Sequence, residues 1–213
     1  MVRFLKKVAI TGSLGSGKST LCDILQELGA YVMNADQIVH QLLSLPLTTA
    51  YIQQIVKLLG NEVIVNDTID RKKIAEIVFQ SPVLLKKLEE LLHPLVGDEI
   101  RKAYEKVKGE KKYTLFVCEI PLLFEVCDKD KNFELSWYDA TICVLCDENQ
   151  AKQRFMDKNR GTEADYIQRH NMQMNVREKA KRADFTIINN GTKEDLKNSA
   201  EALYQRLTAI PAT

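Results

Sequence analysis

The residues best placed to do chemistry in this 213-residue sequence are Gly12-Ser13-Leu14-Gly15-Ser16-Gly17-Lys18-Ser19. Two glycines, a lysine and a hydroxyl residue at this spacing form the P-loop pattern, in which consecutive backbone N–H groups wrap a phosphate. That geometry requires a strand before the loop and a helix after it, so that the helix N-terminus also points at the anion. Val8-Ala9-Ile10-Thr11 reads as the strand, and a helical pattern runs from Lys18 to Leu28, closed by Gly29 as a C-cap. Lys18 then reaches the β and γ phosphates of a nucleoside triphosphate, and Ser19 presents its hydroxyl to Mg²⁺.

A P-loop leaves open what receives the phosphate. There is no base-reading Asn-Lys-x-Asp after a later strand, as a GTPase requires. Asp36 follows a second short β run, Tyr31-Val32-Met33, and so sits at the sheet edge where ligands bind in open α/β folds. A carboxylate there suits a kinase acting on an alcohol, as acceptor of the hydroxyl proton, although an N-cap role on the next helix is equally sound. Glu119 ends Leu115-Phe116-Val117-Cys118 in the place of a Walker-B acid, where it orients a water on the metal or closes a strand-end salt bridge. Arg154 and Arg160 open a basic segment, Gln150 to Arg182, that holds nine of the thirty lysines and arginines. Mobile arginines of this kind meet the charge of a transferring phosphoryl group and exclude water.

Positioning these groups needs a particular set of elements. Strand patterns recur at Thr114 to Cys118, Ala140 to Cys146 and Asp184 to Ile188, which makes five with the two above. Residues 37 to 108 carry helical patterns only, at about 37–44, 48–59, 71–79, 83–92 and 95–107, with start signals at Asp70 and Ser81-Pro82. A last helix, about 193 to 207, begins with the capping-box pattern Thr192-Lys193-Glu194-Asp195. Strands alternating with helices imply a parallel sheet covered on both faces.

Composition bounds the partners. Thirty Lys and Arg against 29 Asp and Glu give a net charge of +1, so no global field favours a nucleic acid or a membrane surface, and an anion site must be built locally. No apolar run approaches the roughly 20 residues of a membrane span, and no signal-peptide pattern opens the chain, so a cytoplasmic enzyme is expected. The five cysteines read as reduced thiols, with Cys143 and Cys146 structural rather than a metal or redox pair. From the residues alone three readings remain: a kinase for a small alcohol, a kinase for a nucleoside monophosphate or shikimate-like acceptor, and a regulatory ATP-binding module.

Further motifs narrow this. The loop from Thr11 to Ser19, Asn34-Ala35-Asp36, Asp70-Arg71-Lys72-Lys73, Leu92-His93-Pro94-Leu95, Ile120-Pro121-Leu122-Leu123-Phe124-Glu125, Gln173 with Lys179, and Ala183 to Asn189 with Gly191 resemble the dephospho-CoA kinase family. The resemblance runs from residue 8 to 191. It implies a three-layer α/β P-loop kinase fold with a five-stranded parallel sheet, a helical substrate-binding insertion and a helical lid. The core would comprise 1–36, 110–150 and 183–213, the acceptor-binding insertion 37–109, and the basic lid 151–182. The implied reaction moves the γ-phosphoryl group of ATP to the ribose 3′-hydroxyl of dephospho-CoA, with Mg²⁺ as cofactor and a monomer or weak homo-oligomer as the working form.

By position the resemblance implies Lys18, Asp36 and Arg154 as catalytic residues. It implies ATP contacts from Gly12, Ser13, Leu14, Gly15, Ser16, Gly17, Lys18, Ser19, Thr20, Arg154, Arg160, Asn189 and Gly191. Acceptor contacts would come from Asp36, Arg71, His93, Pro121, Leu122 and Glu125, and metal contact from Ser19, with Glu119 through a water. The sequence departs from the family in having Ser13 for the usual Gly, tolerable if its φ is negative, and Glu119 where Asp is frequent. Cys127 to Glu134 reads as a lengthened surface loop, and His40, one helical turn past Asp36, as an amphipathic surface histidine.

Overall fold

The computed structural model describes residues 5–159 and 161–209. In chain order, β1 (Lys6–Gly12), α1 (Lys18–Glu27) and β2 (Tyr31–Asn34) are followed by α2 (Ala35–Leu43), α3 (Ala50–Leu59), β3 (Ile64–Val65), β4 (Thr68–Ile69), α4 (Arg71–Gln80) and α5 (Pro82–Glu110). Then come β5 (Leu115–Glu119), α6 (Leu123–Lys129), β6 (Ala140–Leu145), α7 (Glu148–Asn159), α8 (Glu163–Asn171), α9 (Val176–Arg182), β7 (Phe185–Ile188) and α10 (Lys193–Ala209). Contacts divide the chain into two compact units: residues up to Asn34 together with those from Tyr104 onward, and Ala35–Ala103.

The first unit is built on a five-stranded parallel sheet in the order β2-β5-β1-β6-β7. Its central strands are buried along nearly their whole length, as continuous apolar runs must be when both faces are covered, with only Lys7 and Leu145 half-buried. Alternation then sorts the side chains. Val8, Ile10, Leu115, Val117, Ile142 and Val144 pack on one face with Leu21 and Leu25 of α1 and Leu203 and Leu207 of α10. On the other face Phe116 stacks on Tyr31 and meets Tyr104 and Trp137 edge-on, while Cys143 directs its thiol at the Val176 carbonyl of α9. α9 is thus a covering helix of the sheet. β1 and β5 are neighbours whose onward connections leave in opposite directions, so the crevice beyond Gly12 and Glu119 is a topological switch point.

The second unit has its own core, from Leu43, Ile52, Ile55, Leu59, Val63, Ile74, Val78, Leu88 and Leu92. Asp70 caps α4 by accepting from the Lys72 and Lys73 N–H groups at 2.8 and 3.4 Å. Three expectations need correction. Residues 64–69 form a two-stranded hairpin in the stretch expected to be wholly helical, turned by Asn66 and Asp67 with φ of 50° and 57°. Strands of two residues have no period to read. The separate helices at 83–92 and 95–107 are one helix, α5, which runs through Pro94; apolar residues buried on either side of the proline, Leu88, Leu92, Ile100 and Val107, hold it continuous. The loop expected at Cys127 to Glu134 begins inside α6. No described helix is long and apolar enough to cross a membrane.

Candidate active site

The loop after β1 takes a backbone that only glycine adopts comfortably. Gly15 has φ 73° and Gly17 φ 94°, and a Cβ at either would be blocked as well, by the Ala151 carbonyl at Gly15 and by the Asn189 amide at Gly17. Ser13 is not among the described non-glycine residues of positive φ, which removes the objection to Ser at that position. Ser13 and Ser16 are buried, and Leu14 and Thr20 are half-buried. Lys18 opens α1, and its ammonium folds back to donate to the Gly12 and Ser13 carbonyls at 3.2 and 2.8 Å. The Ser16 hydroxyl oxygen is buried without a hydrogen-bond partner among the described residues, although its backbone carbonyl accepts from Asn189 Nδ2 at 2.8 Å. An orphaned hydroxyl beside a folded-back ammonium and a helix N-terminus is a set of donors suited to a polyphosphate.

Beneath the loop, Glu119 is buried and accepts from Ser19 Oγ at 3.1 Å and from Asn34 Nδ2 at 2.7 Å. Its carboxylate is therefore held by hydrogen bonds to both oxygens. A hydroxyl and a carboxylate side by side are hard oxygen donors that fit Mg²⁺, which keeps most of its shell for water and phosphate. Asp36 lies two residues past Asn34, exposed, as the second residue of α2. It is inside the first helical turn, so the N-cap alternative fails; Asn34 directly precedes the helix.

Arg154, on α7, donates from Nη1 to the Asn189 carbonyl at 3.0 Å and to Cys146 Sγ at 3.3 Å. The loop of Asn189 and Gly191 is tied to the start of α7, because Asn190 accepts from the Asp147 N–H and from Gln150 Nε2. Arg160 lies outside the described residues. The thiol of Cys143 is pushed up to about 11, burial outweighing the pull of Lys179 and Lys18, so it stays neutral.

Of the expected acceptor residues, Pro121 and Leu122 lie in the turn between β5 and α6, and Glu125 stands in the first turn of α6. Leu122 is exposed, and Glu125 Oε1 accepts from Lys179 Nζ at 2.7 Å and from the Met174 N–H at 2.8 Å. Asp36, Arg71 and His93 belong to the other unit, where Arg71 is exposed as the first residue of α4, His93 is half-buried within α5, and His40 is exposed on α2. The structure therefore links Lys18, Ser19, Glu119, Arg154 and Asn189 through the phosphate loop and its neighbours, and carries Asp36, Arg71 and His93 on separate helices. The sequence assigns no role to Thr11, Asn34 or Lys179 beyond their place in the motifs. Thr11 Oγ1 and Lys179 Nζ both donate to the Pro121 carbonyl, at 3.0 and 2.8 Å. An Asn ending a strand, or a Lys in an otherwise solvated basic helix, gives no local sign of such partners.

A phosphate loop at the switch point of a parallel sheet, with an acid under its serine, defines a P-loop nucleoside-triphosphate-binding protein. The comparisons make this specific. The dephospho-CoA kinase family matches residues 6–195. A dephospho-CoA kinase of Protochlamydia amoebophila is 43% identical over 204 residues, covering 95% of this chain and 97% of that one. Among solved structures, TT1252 from Thermus thermophilus superposes with TM-score 0.76 at 29% identity, over 95% of this chain and 98% of that one. Dephospho-CoA kinase from Campylobacter jejuni gives 0.66 at 26%, over 97% and 98%. The chain belongs to the dephospho-CoA kinase family, and is accordingly an ATP-dependent transferase of coenzyme A biosynthesis.

Proposed function

We propose that the chain phosphorylates the ribose 3′-hydroxyl of dephospho-CoA with ATP, using Asp36 as general base and the loop Gly12–Thr20 as the triphosphate cradle. The observation that carries this reading is the phosphate loop itself, with the Ser16 hydroxyl, buried and unpartnered among the described residues, and the Lys18 ammonium on its inner side. Asp36 accepts the hydroxyl proton as the oxygen attacks. The new O–P bond forms at the γ phosphorus while its bond to the bridging oxygen breaks, and ADP departs. Lys18 and Arg154, with Arg160, meet the negative charge that builds on the transferred group and the leaving phosphate. Asn189 and Gly191 border the base. Ser19, and Glu119 through a water, would hold Mg²⁺, which when bound neutralises charge across the β and γ phosphates.

The acceptor is held by the insertion 37–109, through Arg71 and His93, together with Pro121, Leu122 and Glu125. Of the expected lid 151–182, the part before α9 acts as the lid over ATP, its positive charges self-repelling until the triphosphate neutralises them, whereas α9 stays on the sheet, with Lys179 buried and paired with Glu125 and Arg182 paired with Asp128. The enzyme works in the cytoplasm as a monomer or weak homo-oligomer, without nucleic-acid or membrane partners.

Asp36→Asn tests the central assignment. Loss of the base lowers kcat with dephospho-CoA by about 10² to 10⁴-fold while ATP affinity is kept. Unchanged turnover would remove Asp36 from the mechanism. Turnover with a nucleoside monophosphate or shikimate, and none with dephospho-CoA, would replace the acceptor.

A further inference from the structure

Lys179 is the most deeply buried cation among the described residues, with no exposed surface. Burying an ammonium costs several kcal/mol unless it is paired and hydrogen-bonded, so such a lysine is retained for what it holds. Its partners are specific. Nζ donates to Glu125 Oε1 at 2.7 Å, in the first turn of α6, and to the Pro121 carbonyl at 2.8 Å, in the turn that leads from β5 into that helix. The Pro121 carbonyl also accepts from Thr11 Oγ1, on the residue before the phosphate loop, and Glu125 Oε1 also accepts from the Met174 N–H. The second carboxylate oxygen, Glu125 Oε2, is buried with no hydrogen-bond partner among the described residues. Lys179 is the cation in direct contact with the Glu125 carboxylate, through Oε1.

α9 carries this lysine on a fixed base. One turn further along, Arg182 pairs with Asp128 at 2.8 Å and lies over the Phe124 ring, so residues 179 and 182 of α9 engage 125 and 128 of α6 at matching spacing. The outer pair is solvent-exposed and worth little energetically. The inner one is dry, and it alone touches the backbone of the turn.

We infer that Lys179 is a positioning residue for the acceptor: it sets the Pro121–Glu125 segment, and through it the presentation of Leu122 and Glu125 to dephospho-CoA. The inference rests on the proposed acceptor role of that segment. It gives Lys179 no contact with reacting atoms. A misplaced segment should weaken acceptor binding first, because ATP is held by the loop, whose link to Pro121 is one threonine hydroxyl.

The test measures KM for dephospho-CoA, KM for ATP and kcat separately, with melting followed by circular dichroism, in wild type, Lys179→Met, Lys179→Gln, Glu125→Gln and Arg182→Gln. Lys179→Met is expected to raise the acceptor KM about tenfold to a hundredfold, the scale of an ångström-sized misplacement, with the ATP KM changed less than about threefold. Glu125→Gln, nearly isosteric, moves the acceptor KM in the same direction, but because Glu125 is itself proposed to face the acceptor, Lys179→Gln is the variant that serves if Lys179→Met does not fold. Arg182→Gln leaves both KM values unchanged. An acceptor KM unaltered in folded Lys179→Met, Lys179→Gln or Glu125→Gln overturns the inference, as does a loss in which kcat falls with the folded fraction and both KM values stay put. Wild-type enzyme inactive on dephospho-CoA would strike down the parent reading and this one with it; active wild type with insensitive variants strikes down this one only.

Discussion

The phosphate loop and the unit Ala35–Ala103 are built by opposite means. Around the loop the chain makes reciprocal polar contacts between residues distant in sequence: Asn189 holds the Ser16 carbonyl, Glu119 holds Ser19 and Asn34, and Arg154 holds Asn189. The backbone itself is the binding element, and glycines at 15 and 17 are required because other backbone and side-chain atoms occupy the space a Cβ would fill. In Ala35–Ala103 the inside is apolar, centred on Ile52 and Ile55, and the proposed acceptor residues Asp36 and Arg71 stand exposed on helices. A site made of backbone must be encoded contiguously. A site made of side chains on helices needs only the right residue at scattered positions, with an amphipathic pattern beneath.

Lys18→Ala should have the largest effect and sharpens the contrast. Removing the ammonium takes a charged donor from the developing phosphate charge, and kcat should fall about a thousandfold. Because the residue opens α1 and Ala is a good helix former, the fold should persist. Full activity in a coupled ADP-release assay would remove the loop from the chemistry and with it the comparison.

The same contrast explains what could be read from the sequence. All five strands of the main sheet were legible to within two residues at each end, since buried parallel strands are short apolar runs between turn signals. Thr192 with Asp195 as a capping box, and Gly29 as the residue that closes α1, were legible because each is a local bond with a local cost, although the C-cap itself is Leu28 and Gly29 follows it with φ 99°. The hairpin at 64–69 and the passage of α5 through Pro94 were not, because there tertiary packing overrides what short-range propensity says. In the site, the contiguous loop announced itself, whereas Arg71 and His93 stood out only through resemblance. Lys179 was hidden for a further reason: nine cations between 150 and 182 look alike in sequence, and only the fold says which of them is dry.

Ile55→Ala probes the other half of the comparison. Ile55 is fully buried in the core of Ala35–Ala103, and truncation leaves a cavity worth about 2–5 kcal/mol. The expected outcome is a lower melting transition and a raised KM for dephospho-CoA, with ATP affinity, measured by calorimetry, within about threefold of wild type if the two units do separate jobs. Equal weakening of both substrates would show that the units do not divide the work in this way.

Thr192→Ala is the smallest of the three and tests a purely local element of the nucleotide-binding unit. Thr192 Oγ1 accepts from the Asp195 N–H at 3.2 Å and donates to Asp195 Oδ2 at 2.7 Å, while the Thr192 N–H donates to the same oxygen. Loss of this cap should cost about 1 kcal/mol of stability with kcat unchanged. The Thr192 hydroxyl and N–H hold the Asp195 carboxyl below its ordinary value. A depressed folded-state value means that the cap's ionic contribution is complete above the unfolded value, about 4, and is lost as pH falls through the folded one. The melting-temperature gap between wild type and Thr192→Ala should therefore be constant from pH 6 to 8 and narrow on acidification below about pH 4. A gap independent of pH down to the acid transition would mean that α10 is held by its packing through Leu196, Ala200 and Leu203 rather than by its cap.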